Sequence, residues 1–254
     1  MSGTLTVIGL GPGDLEQLTP QASEALRNAD SLYGYAPYLE RVPQHAGQTR
    51  HASDNRQEIQ RAQQALAAAA GGARVAVVSG GDPGVFGMAA AVCEAIESGP
   101  AAWRELEVIV IPGVSAVLAV AARIGAPLGH DFCVLSLSDN LKPWSVIERR
   151  LEAAATAGFV IALYNPVSRT RPWQLQSAFE QLRRLLPART PVVFGRAVGR
   201  PDERVGVATL ATADGSHADM STCVIIGTEQ TRSIERAGKS TLIYTPRGAA
   251  RPST

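Results

Sequence analysis

Three glycine-rich turns carry most of the residues in this chain that could do chemistry. Each follows a short apolar run typical of a β-strand: Gly9-Leu10-Gly11-Pro12-Gly13-Asp14, Gly80-Gly81-Asp82-Pro83-Gly84 and Pro112-Gly113-Val114-Ser115-Ala116. Glycine lets the backbone approach a ligand without a Cβ in the way. Ligands of open α/β sheets bind beyond the carboxyl ends of the strands. The three turns therefore predict one ligand site at one sheet edge.

The first turn departs from the dinucleotide-binding fingerprint. That fingerprint is G-x-G-x-x-G, with its third glycine in the first turn of the following helix. Gly9 and Gly11 fit it, but Asp14 stands at the third position and Pro12 stiffens the loop. A carboxylate there would repel a pyrophosphate, which needs amide N–H groups and the positive end of a helix dipole. The turn therefore favours a cationic or neutral ligand over NAD or FAD.

The composition disfavours several classes of protein. The chain has 254 residues, a formal net charge of +1 and only 5% aromatic residues, so neither a basic face nor a base-stacking platform for nucleic acid is indicated. Its three cysteines, Cys93, Cys133 and Cys223, form no metal or disulfide pattern, so we expect no metal site and three small buried side chains. Without a signal segment or a membrane-spanning apolar run, we expect a cytoplasmic protein with no membrane partner.

The elements that would position the three turns alternate between strands and helices. In the first half, residues 34–38 predict a turn and residues 43–53 an exposed loop. The strands are expected at residues 5–8, 31–35, 74–79 and 108–111, and the helices at about 19–28, 54–70, 85–98 and 116–124. This alternation predicts right-handed βαβ crossovers and a mainly parallel sheet.

A second α/β domain is expected after a break at residues 125–130. Its strands are predicted at 132–137, 159–164 and 192–196, and its helices at 144–157 and 173–186. The later β-like runs at 205–210, 223–226 and 242–244 have no full helices between them, which predicts antiparallel additions to a mixed sheet. The predicted fold is thus two α/β domains, residues 1–124 and 125–246, with a disordered tail at 247–254.

The three turns, in this order and spacing, resemble the signatures of the tetrapyrrole methylase family, the class III S-adenosylmethionine-dependent methyltransferases. The resemblance runs from Leu5 to about Thr231. It implies a homodimer, with S-adenosyl-L-methionine in a cleft between two α/β domains and S-adenosyl-L-homocysteine as a product. The cofactor-binding residues that it implies are Leu10, Pro12, Gly81, Asp82, Val85, Ser115, Ala116, Tyr164, Ala197 and Thr222.

Four further stretches, at residues 34–39, 136–144, 164–169 and 219–222, narrow the resemblance within the family. They resemble the branch that methylates precorrin-3B at carbon 17 and contracts the corrin ring in cobalamin biosynthesis. The open alternatives are a cobalt-containing counterpart, a sibling that methylates another corrin carbon, an RNA methyltransferase of the same superfamily and a non-catalytic nucleotide-binding module. The segment Gly227-Thr228-Glu229 departs from the Gly-Asn-Ser expected there.

The chemistry of that branch assigns roles to further residues. A precorrin carries a rim of carboxylates, which need cationic partners. The predicted substrate-binding residues are Lys142, Asn165, Arg169 and Arg171. Ring contraction also needs proton transfer, and a carboxylate desolvated in a cleft can hold a proton, so Asp14 and Asp139 are the predicted catalytic residues. The alternatives are a capping role for Asp14, an Asx turn at Asp82 and solvated surface charges for the cations.

Overall fold

A computed structural model of the chain describes residues 3–248, which form two compact α/β units. The first unit ends at Ala116 and the second begins at Val117, whereas the sequence predicts the boundary at 124/125. The helix after Ala116 goes with the second unit because Val120 packs against Gly195 and the Val117 N–H donates to the Tyr164 hydroxyl. Most of the predicted disordered tail, residues 249–254, lies outside the described residues.

The first unit is built on one parallel sheet. Its elements in chain order are β1 (Thr4–Gly9), α1 (Pro20–Asn28), β2 (Ser31–Tyr35), α2 (Ala36–Leu39), β3 (Thr49–Ser53), α3 (Glu58–Ala70), β4 (Arg74–Ser79), α4 (Met88–Ser98) and β5 (Glu107–Ile111). The strand order is β3-β2-β4-β1-β5, and every pairing is parallel. All five strands therefore end at the same edge, as the alternating pattern predicts.

Both faces of this sheet are buried, which explains why its central strands are apolar runs. Successive side chains of β4 point to opposite faces: Val75 and Val77 pack in the cluster with α3 and α4, whereas Ala76 and Val78 pack in the cluster with α1. The predicted start of α1 is confirmed, because the Thr19 hydroxyl accepts the Ala22 N–H at 3.1 Å and Pro20 is the first helical residue.

Two sequence-based predictions for the first unit, the loop at residues 43–53 and the turn at residues 34–38, are wrong in part. Residues 49–53, predicted as a loop, form β3, which pairs only with β2 and stays polar because it is half solvated. The ring of His51 stacks on that of Tyr33, with centroids 4.3 Å apart. The predicted turn before it contains the short helix α2, which begins directly after β2.

Two helices of the first unit begin later than predicted. Asp54 does not cap α3, because its carboxylate accepts the N–H of Asn55 and the helix begins only at Glu58. Helix α4 begins at Met88 instead of Val85, because Phe86 has a positive φ of 53° and Gly87 is extended. Cys93 lies exposed on α4, so the expectation that all three cysteines are buried is also wrong.

The second unit contains a mixed sheet and a small separate one. From Ala116 onward the elements are α5 (Ala116–Ile124), β6 (Gly125–Ala126), β7 (Phe132–Ser136), α6 (Trp144–Thr156), β8 (Val160–Tyr164), α7 (Gln174–Leu182), β9 (Pro191–Arg196), β10 (Arg204–Thr209), β11 (Thr222–Ile226), β12 (Arg232–Arg236) and β13 (Lys239–Tyr244). The larger sheet has the order β10-β9-β11-β8-β7. Only β7 and β8 pair in parallel within it, which confirms the predicted mixed sheet.

The last predicted strand does not join this mixed sheet. Residues 242–244 belong to β13, which pairs with β12 and β6 in a three-stranded sheet of its own. β12 is missing from the prediction because all five of its residues are exposed and its sequence, Arg-Ser-Ile-Glu-Arg, has little apolar content. Among the described residues, every helix is too short or too polar to cross a membrane.

Candidate functional site

The three predicted turns lie side by side at the carboxyl edge of the first sheet. Since β1 lies between β4 and β5, the loop after Gly9 is flanked by the other two. Gly11 and Gly81 exchange two backbone hydrogen bonds, with N–O distances of 3.1 and 2.8 Å. A Cβ added to Gly9 would lie 2.6 Å from the nitrogen of Gly113 and 2.8 Å from the carbonyl oxygen of Gly81. The loops therefore touch through their backbones, and glycine is needed where they meet.

Asp82 ties the second loop to the third. Its Oδ1 accepts the Gly84 N–H at 2.8 Å, which is the Asx turn considered above, and its Oδ2 accepts the Gly113 N–H at 3.1 Å. Both carboxylate oxygens are thus engaged within the unit. The geometry gives Asp82 a clear role in shaping the loop surface, and its predicted contact with a cofactor stays a prediction.

The remaining predicted residues of the first unit offer two kinds of surface. The side chains of Leu10 and Ser115 are buried, so contact with a ligand would involve their main chain. Those of Pro12, Val85 and Ala116 are partly exposed. There is space over Gly81, where an added Cβ would have its nearest neighbours, backbone atoms of residues 114–116, at 3.9 Å.

Asp14 lies exposed at the start of a short 3-10 helix (Leu15–Gln17). Its Oδ1 accepts the N–H of Glu16 at 3.0 Å, so the predicted alternative of a capping role is present. Its Oδ2 accepts no hydrogen bond among residues 3–248. Its role as a proton carrier stays a prediction.

Two neighbours of the first loop were missed as site residues. The guanidinium of Arg41 donates to the carbonyl oxygen of Gly11 at 3.1 Å and lies over the ring of Tyr38. That ring in turn leaves no room for a side chain at Gly80, where an added Cβ would meet its Cζ at 2.7 Å. The available signal was the segment 34–39, which resembles a family motif, but nothing in it indicates which loop these side chains contact.

The predicted site residues of the second unit also share one sheet edge. β8 runs parallel to β7, and β11 runs antiparallel to both β8 and β9. The carboxyl ends of β7, β8 and β9 therefore lie beside the start of β11. Every predicted residue of this unit follows or occupies one of these strand ends: Asp139, Lys142, Tyr164, Asn165, Arg169, Arg171, Ala197 and Thr222.

Arg171 connects the loops after β7 and β8. Its side chain is only 7% exposed, and its guanidinium donates to the carbonyl oxygens of Asn165 at 3.2 Å and Leu137 at 3.4 Å. Its Nε lies 4.0 Å from Oδ1 of Asp139, whose Oδ2 accepts a hydrogen bond from Gln174 at 3.1 Å. Burial lowers the pKa of Arg171, and the charge of Asp139 opposes that shift. These contacts indicate that Arg171 and Asp139 position the loops.

The other two predicted cations are more open to a ligand. Arg169 is exposed in a tight turn, where Ser168 and Arg171 exchange backbone hydrogen bonds of 3.0 Å. Lys142 is partly buried, and its pKa is lowered by burial and by the charge of Arg150, with an opposing effect from Asp139. Arg169 and Lys142 are therefore accessible to a ligand, whereas Arg171 is buried.

Tyr164 and Asn165 end β8 and make defined polar contacts. The Tyr164 hydroxyl accepts the Val117 N–H at 2.8 Å, at the first turn of α5. The Asn165 side chain donates to the Ser136 hydroxyl at 2.9 Å, which links the ends of β7 and β8. Both side chains are thus held by hydrogen bonds within the second unit. The contacts predicted for Tyr164 with the cofactor and for Asn165 with the substrate stay predictions.

Ala197 and Thr222 are almost fully buried. The Ala197 N–H donates to the Ser221 carbonyl oxygen at 2.9 Å, and the Thr222 hydroxyl donates to the Asp219 carboxylate at 3.0 Å. Asp219 is in turn paired with Arg196 at 2.7 Å. The loop after β9 is therefore fixed to the start of β11, and ligand contact there would again involve the main chain.

Backbone strain supports these loops as a site independently of any motif. Among the described residues other than glycine, positive φ occurs at Phe86 (53°), Asn165 (52°) and Ala197 (50°). Asn165 and Ala197 are predicted site residues, and Phe86 directly follows the predicted Val85. Strained backbone outside glycine is concentrated at functional sites, because other contacts must stabilise it.

The segment that departs from the family pattern lies at the opposite edge of the mixed sheet. Gly227 follows the carboxyl end of β11, which is antiparallel to β8. The loop is closed by the Thr231 hydroxyl, which accepts the Thr228 N–H at 2.8 Å and contacts the Thr245 hydroxyl at 2.9 Å. Within this unit, the departure therefore does not affect the edge that carries the predicted residues.

Comparison with known proteins identifies similar sequences and structures. The Tetrapyrrole (Corrin/Porphyrin) Methylases family matches residues 4–214. The chain is 64% identical over 247 residues to the precorrin-3B C(17)-methyltransferase of Sinorhizobium sp., covering 97% of each protein. It is 41% identical over 245 residues to the probable cobalt-factor III C(17)-methyltransferase of Salmonella typhimurium, covering 96% of this chain and 98% of that protein. The crystal structure of the methyltransferase CobJ matches with a TM-score of 0.92 and 45% identity, covering 96% of this chain and 100% of that one.

Proposed function

Because the chain belongs to the tetrapyrrole methylase family, we propose that it transfers the methyl group of S-adenosyl-L-methionine to carbon 17 of precorrin-3B. The reaction includes contraction of the corrin ring, belongs to cobalamin biosynthesis and releases S-adenosyl-L-homocysteine. The observation that carries this proposal is the near full-length similarity to the Sinorhizobium enzyme. The similarity to the Salmonella protein supports a second candidate, the cobalt-containing counterpart of the same substrate.

The loops of the first unit fit this cofactor. The space over Gly81 lies beside main-chain atoms of the third loop, so a ligand there could be contacted by backbone groups. The carboxylates of Asp14 and Asp82 stand at this edge, which favours a cationic sulfonium over a phosphate. The bound cofactor would supply an electrophilic methyl group, and the loops would hold it by main-chain and apolar contacts.

The chain's own residues contribute mainly by positioning. Methyl transfer to carbon is an in-line displacement, and correct orientation of the two reactants accounts for roughly 7–11 kcal/mol of barrier reduction in favourable cases. The paired hydrogen bonds between Gly11 and Gly81 and the bond from Gly113 to Asp82 hold the three loops in one arrangement. The three loops are therefore already held in position by their own hydrogen bonds before the cofactor binds.

We assign the carboxylate rim of the substrate to Arg169 and Lys142, since Arg171 is buried in contacts with its own loops. The change Arg169→Ala is expected to raise the KM for the tetrapyrrole about tenfold, because hydrogen bonds to charged groups contribute roughly 1.5–3 kcal/mol. Binding of S-adenosylhomocysteine, measured by calorimetry, should stay unchanged. Arg189→Ala is the matched control, since Arg189 is exposed just before β9, at the other edge of the sheet. Equal losses for tetrapyrrole and cofactor at Arg169 would contradict the assignment.

We propose Asp14 as the proton carrier in ring contraction, because its Oδ2 accepts no hydrogen bond among residues 3–248, whereas both oxygens of Asp139 are engaged by Arg171 and Gln174. Asp14 is exposed, so the desolvation expected from the sequence would have to come from the bound substrate. The change Asp14→Asn keeps the oxygen that accepts the Glu16 N–H, so the midpoint of thermal unfolding should shift little. Turnover should fall at least about a hundredfold, the usual contribution of a general acid or base. Full turnover of Asp14→Asn in steady-state assays would remove Asp14 from this role.

The deciding experiment is turnover with S-adenosyl-L-methionine and precorrin-3B, with the product analysed by mass and absorbance. A methylated, ring-contracted product is expected. The same assay with the cobalt-containing precursor separates the two candidates, because the preferred substrate should give the higher kcat/KM. Failure to methylate either substrate would exclude both candidates.

We further propose a cytoplasmic homodimer that does not bind nucleic acid. The net charge of +1 and the 5% aromatic content give little basis for a nucleic-acid surface. Light scattering should report twice the 26.7 kDa mass of the chain. Salt-dependent binding of RNA would instead favour an RNA methyltransferase.

A further inference from the structure

Three large apolar side chains are exposed near the contact between Arg171 and Asp139. Leu141 is 98% exposed, Trp173 is 45% exposed and Met220 is 43% exposed. We call these residues the apolar shelf. Single exposed apolar residues need no explanation, but a group of them in one place indicates a binding surface.

Each member of the apolar shelf is connected to the contact between Arg171 and Asp139, either directly or along the chain. The sulfur of Met220 accepts a hydrogen bond from the Arg171 guanidinium at 3.7 Å. Trp173 stands in the chain between Arg171 and Gln174, and both of these side chains contact Asp139. Leu141 follows Asp139 by two residues. The three residues therefore belong to segments that meet at the polar contact joining the loops after β7 and β8.

The Trp173 ring has a defined orientation although it is exposed. It packs against the ring of Trp144, with centroids 4.9 Å apart and an angle of 73° between the planes. Trp144 in turn packs against the main core of the second unit. An aromatic ring supported in this way offers apolar contact area at a low entropic cost.

Leu141 has no role in folding that the structure can account for. A side chain that is 98% exposed removes almost no apolar surface from water, so it adds almost nothing to the stability of the fold. A leucine in such a position gains contact area only when something else covers it. Leu141 is therefore well suited to test whether the shelf binds a ligand.

Cations stand beside the shelf. Lys142 follows Leu141 directly, and Arg169 is exposed at the turn that precedes Arg171. An apolar surface flanked by cations complements a flat, apolar ligand with carboxylates on its periphery. Such charge complementarity favours a tetrapyrrole over a second copy of the chain, whose net charge is +1.

We propose that the apolar shelf binds one face of the tetrapyrrole macrocycle, with Trp173 and Leu141 in contact with the ring and Lys142 and Arg169 bound to its carboxylates. This inference rests on the proposed function and extends it, because it assigns substrate recognition to apolar side chains, whereas the substrate residues predicted from the sequence are all polar or charged. Stacking of Trp173 on a conjugated macrocycle would also quench its fluorescence.

The test is a titration of the full-length protein with uroporphyrin III, a stable tetrapyrrole with carboxylate side chains, followed by tryptophan fluorescence. Quenching is expected for the wild type. It is also expected for the control variant Trp103→Phe, because Trp103 packs against the core of the first unit, away from the shelf residues in the chain. The change Trp173→Ala should weaken binding, because it removes the ring that contacts the macrocycle, and quenching of the remaining tryptophans reports the lower affinity. Leu141→Ala should weaken binding roughly five- to tenfold, the scale expected from burial of a leucine side chain. The control variant Leu185→Ala should bind uroporphyrin III as the wild type does. Leu185 is a 40% exposed leucine that follows the carboxyl end of α7.

Several outcomes would overturn the proposal: no quenching of the wild type, an unchanged affinity of Trp173→Ala, or equal affinities for Leu141→Ala and Leu185→Ala. A change in the light-scattering mass of Leu141→Ala would show that the shelf is a subunit contact, which also overturns it. The proposed function is tested separately by turnover of precorrin-3B. A protein whose affinity for uroporphyrin III depends on Trp173 and Leu141 but which does not methylate precorrin-3B would contradict the reaction and support the shelf.

Discussion

The change Gly9→Ala is expected to abolish binding of S-adenosylhomocysteine and to destabilise the protein by roughly 1–3 kcal/mol. The added Cβ would lie 2.6 Å from the nitrogen and 2.8 Å from the Cα of Gly113, and 2.8 Å from the carbonyl oxygen of Gly81. These are backbone atoms of both neighbouring loops, so no flexible side chain can move aside. The loops must separate, and the hydrogen bonds that join Gly11 to Gly81 and Gly113 to Asp82 are disturbed with them.

The effect should be steric, because Gly9 ends β1 and has no positive φ that alanine would find difficult. Gly113→Ala should behave alike, since its Cβ would meet backbone atoms of Gly81 in the second loop and of Gly9 in the first. Gly206→Ala in β10 is the matched control, with no atom within 4 Å of an added Cβ. Calorimetry would measure both cofactor binding and the unfolding temperature. Wild-type affinity in Gly9→Ala would show that the three-loop contact is not the cofactor site.

The second large effect is expected for Arg171→Met, which should lower the free energy of unfolding by roughly 2–4 kcal/mol and abolish turnover. Methionine fills much of the space but donates no hydrogen bond. The carbonyl oxygens of Leu137 and Asn165 would lose their donor, and Asp139 would lose its cationic partner. The loops after β7 and β8 would then no longer be held together, and both carry predicted substrate residues.

Urea denaturation followed by circular dichroism would measure this change. Arg169→Met is the control two residues away, and its exposed side chain should alter stability by less than about 0.5 kcal/mol. A double-mutant cycle with Asp139→Asn should give a coupling energy of roughly 0.5–3 kcal/mol if the two side chains act as one unit. Additive effects, or an unchanged stability of Arg171→Met, would contradict the positioning role.

The repeating pattern of the chain predicts most of the first sheet and its turns. β2 and β4 occur at the predicted residues, and the glycine turns follow β1, β4 and β5 as expected. Parallel strands buried on both faces leave a strong signal, because nearly every side chain in them must be apolar. β3 and β12 leave no such signal, since an exposed strand with few neighbours keeps a polar sequence.

The family resemblance indicates which residues belong to the site, but the side-chain contacts decide what several of them do. Arg169 and Arg171 are two arginines two positions apart, and the sequence alone does not show that their roles differ. Arg169 is a central residue of the turn between Ser168 and Arg171 and stays exposed, whereas Arg171 is its last residue and is buried by its contacts with Leu137 and Asn165. The contact of Arg41 with Gly11 likewise depends on a chain separation of 30 residues that no local pattern encodes.

By itself, therefore, the sequence determined the α/β class, the three glycine turns and the ligand class that their Asp14 and Pro12 favour, since these depend on local residue types and periodicity. Only the tertiary structure decided that Gly9, Gly81 and Gly113 must be glycine together, because the constraint comes from the distances between three loops. It also decided that Arg171 holds the loops while Leu141 and Trp173 stay exposed. Burial is a property of the packed chain, and residue type alone does not specify it.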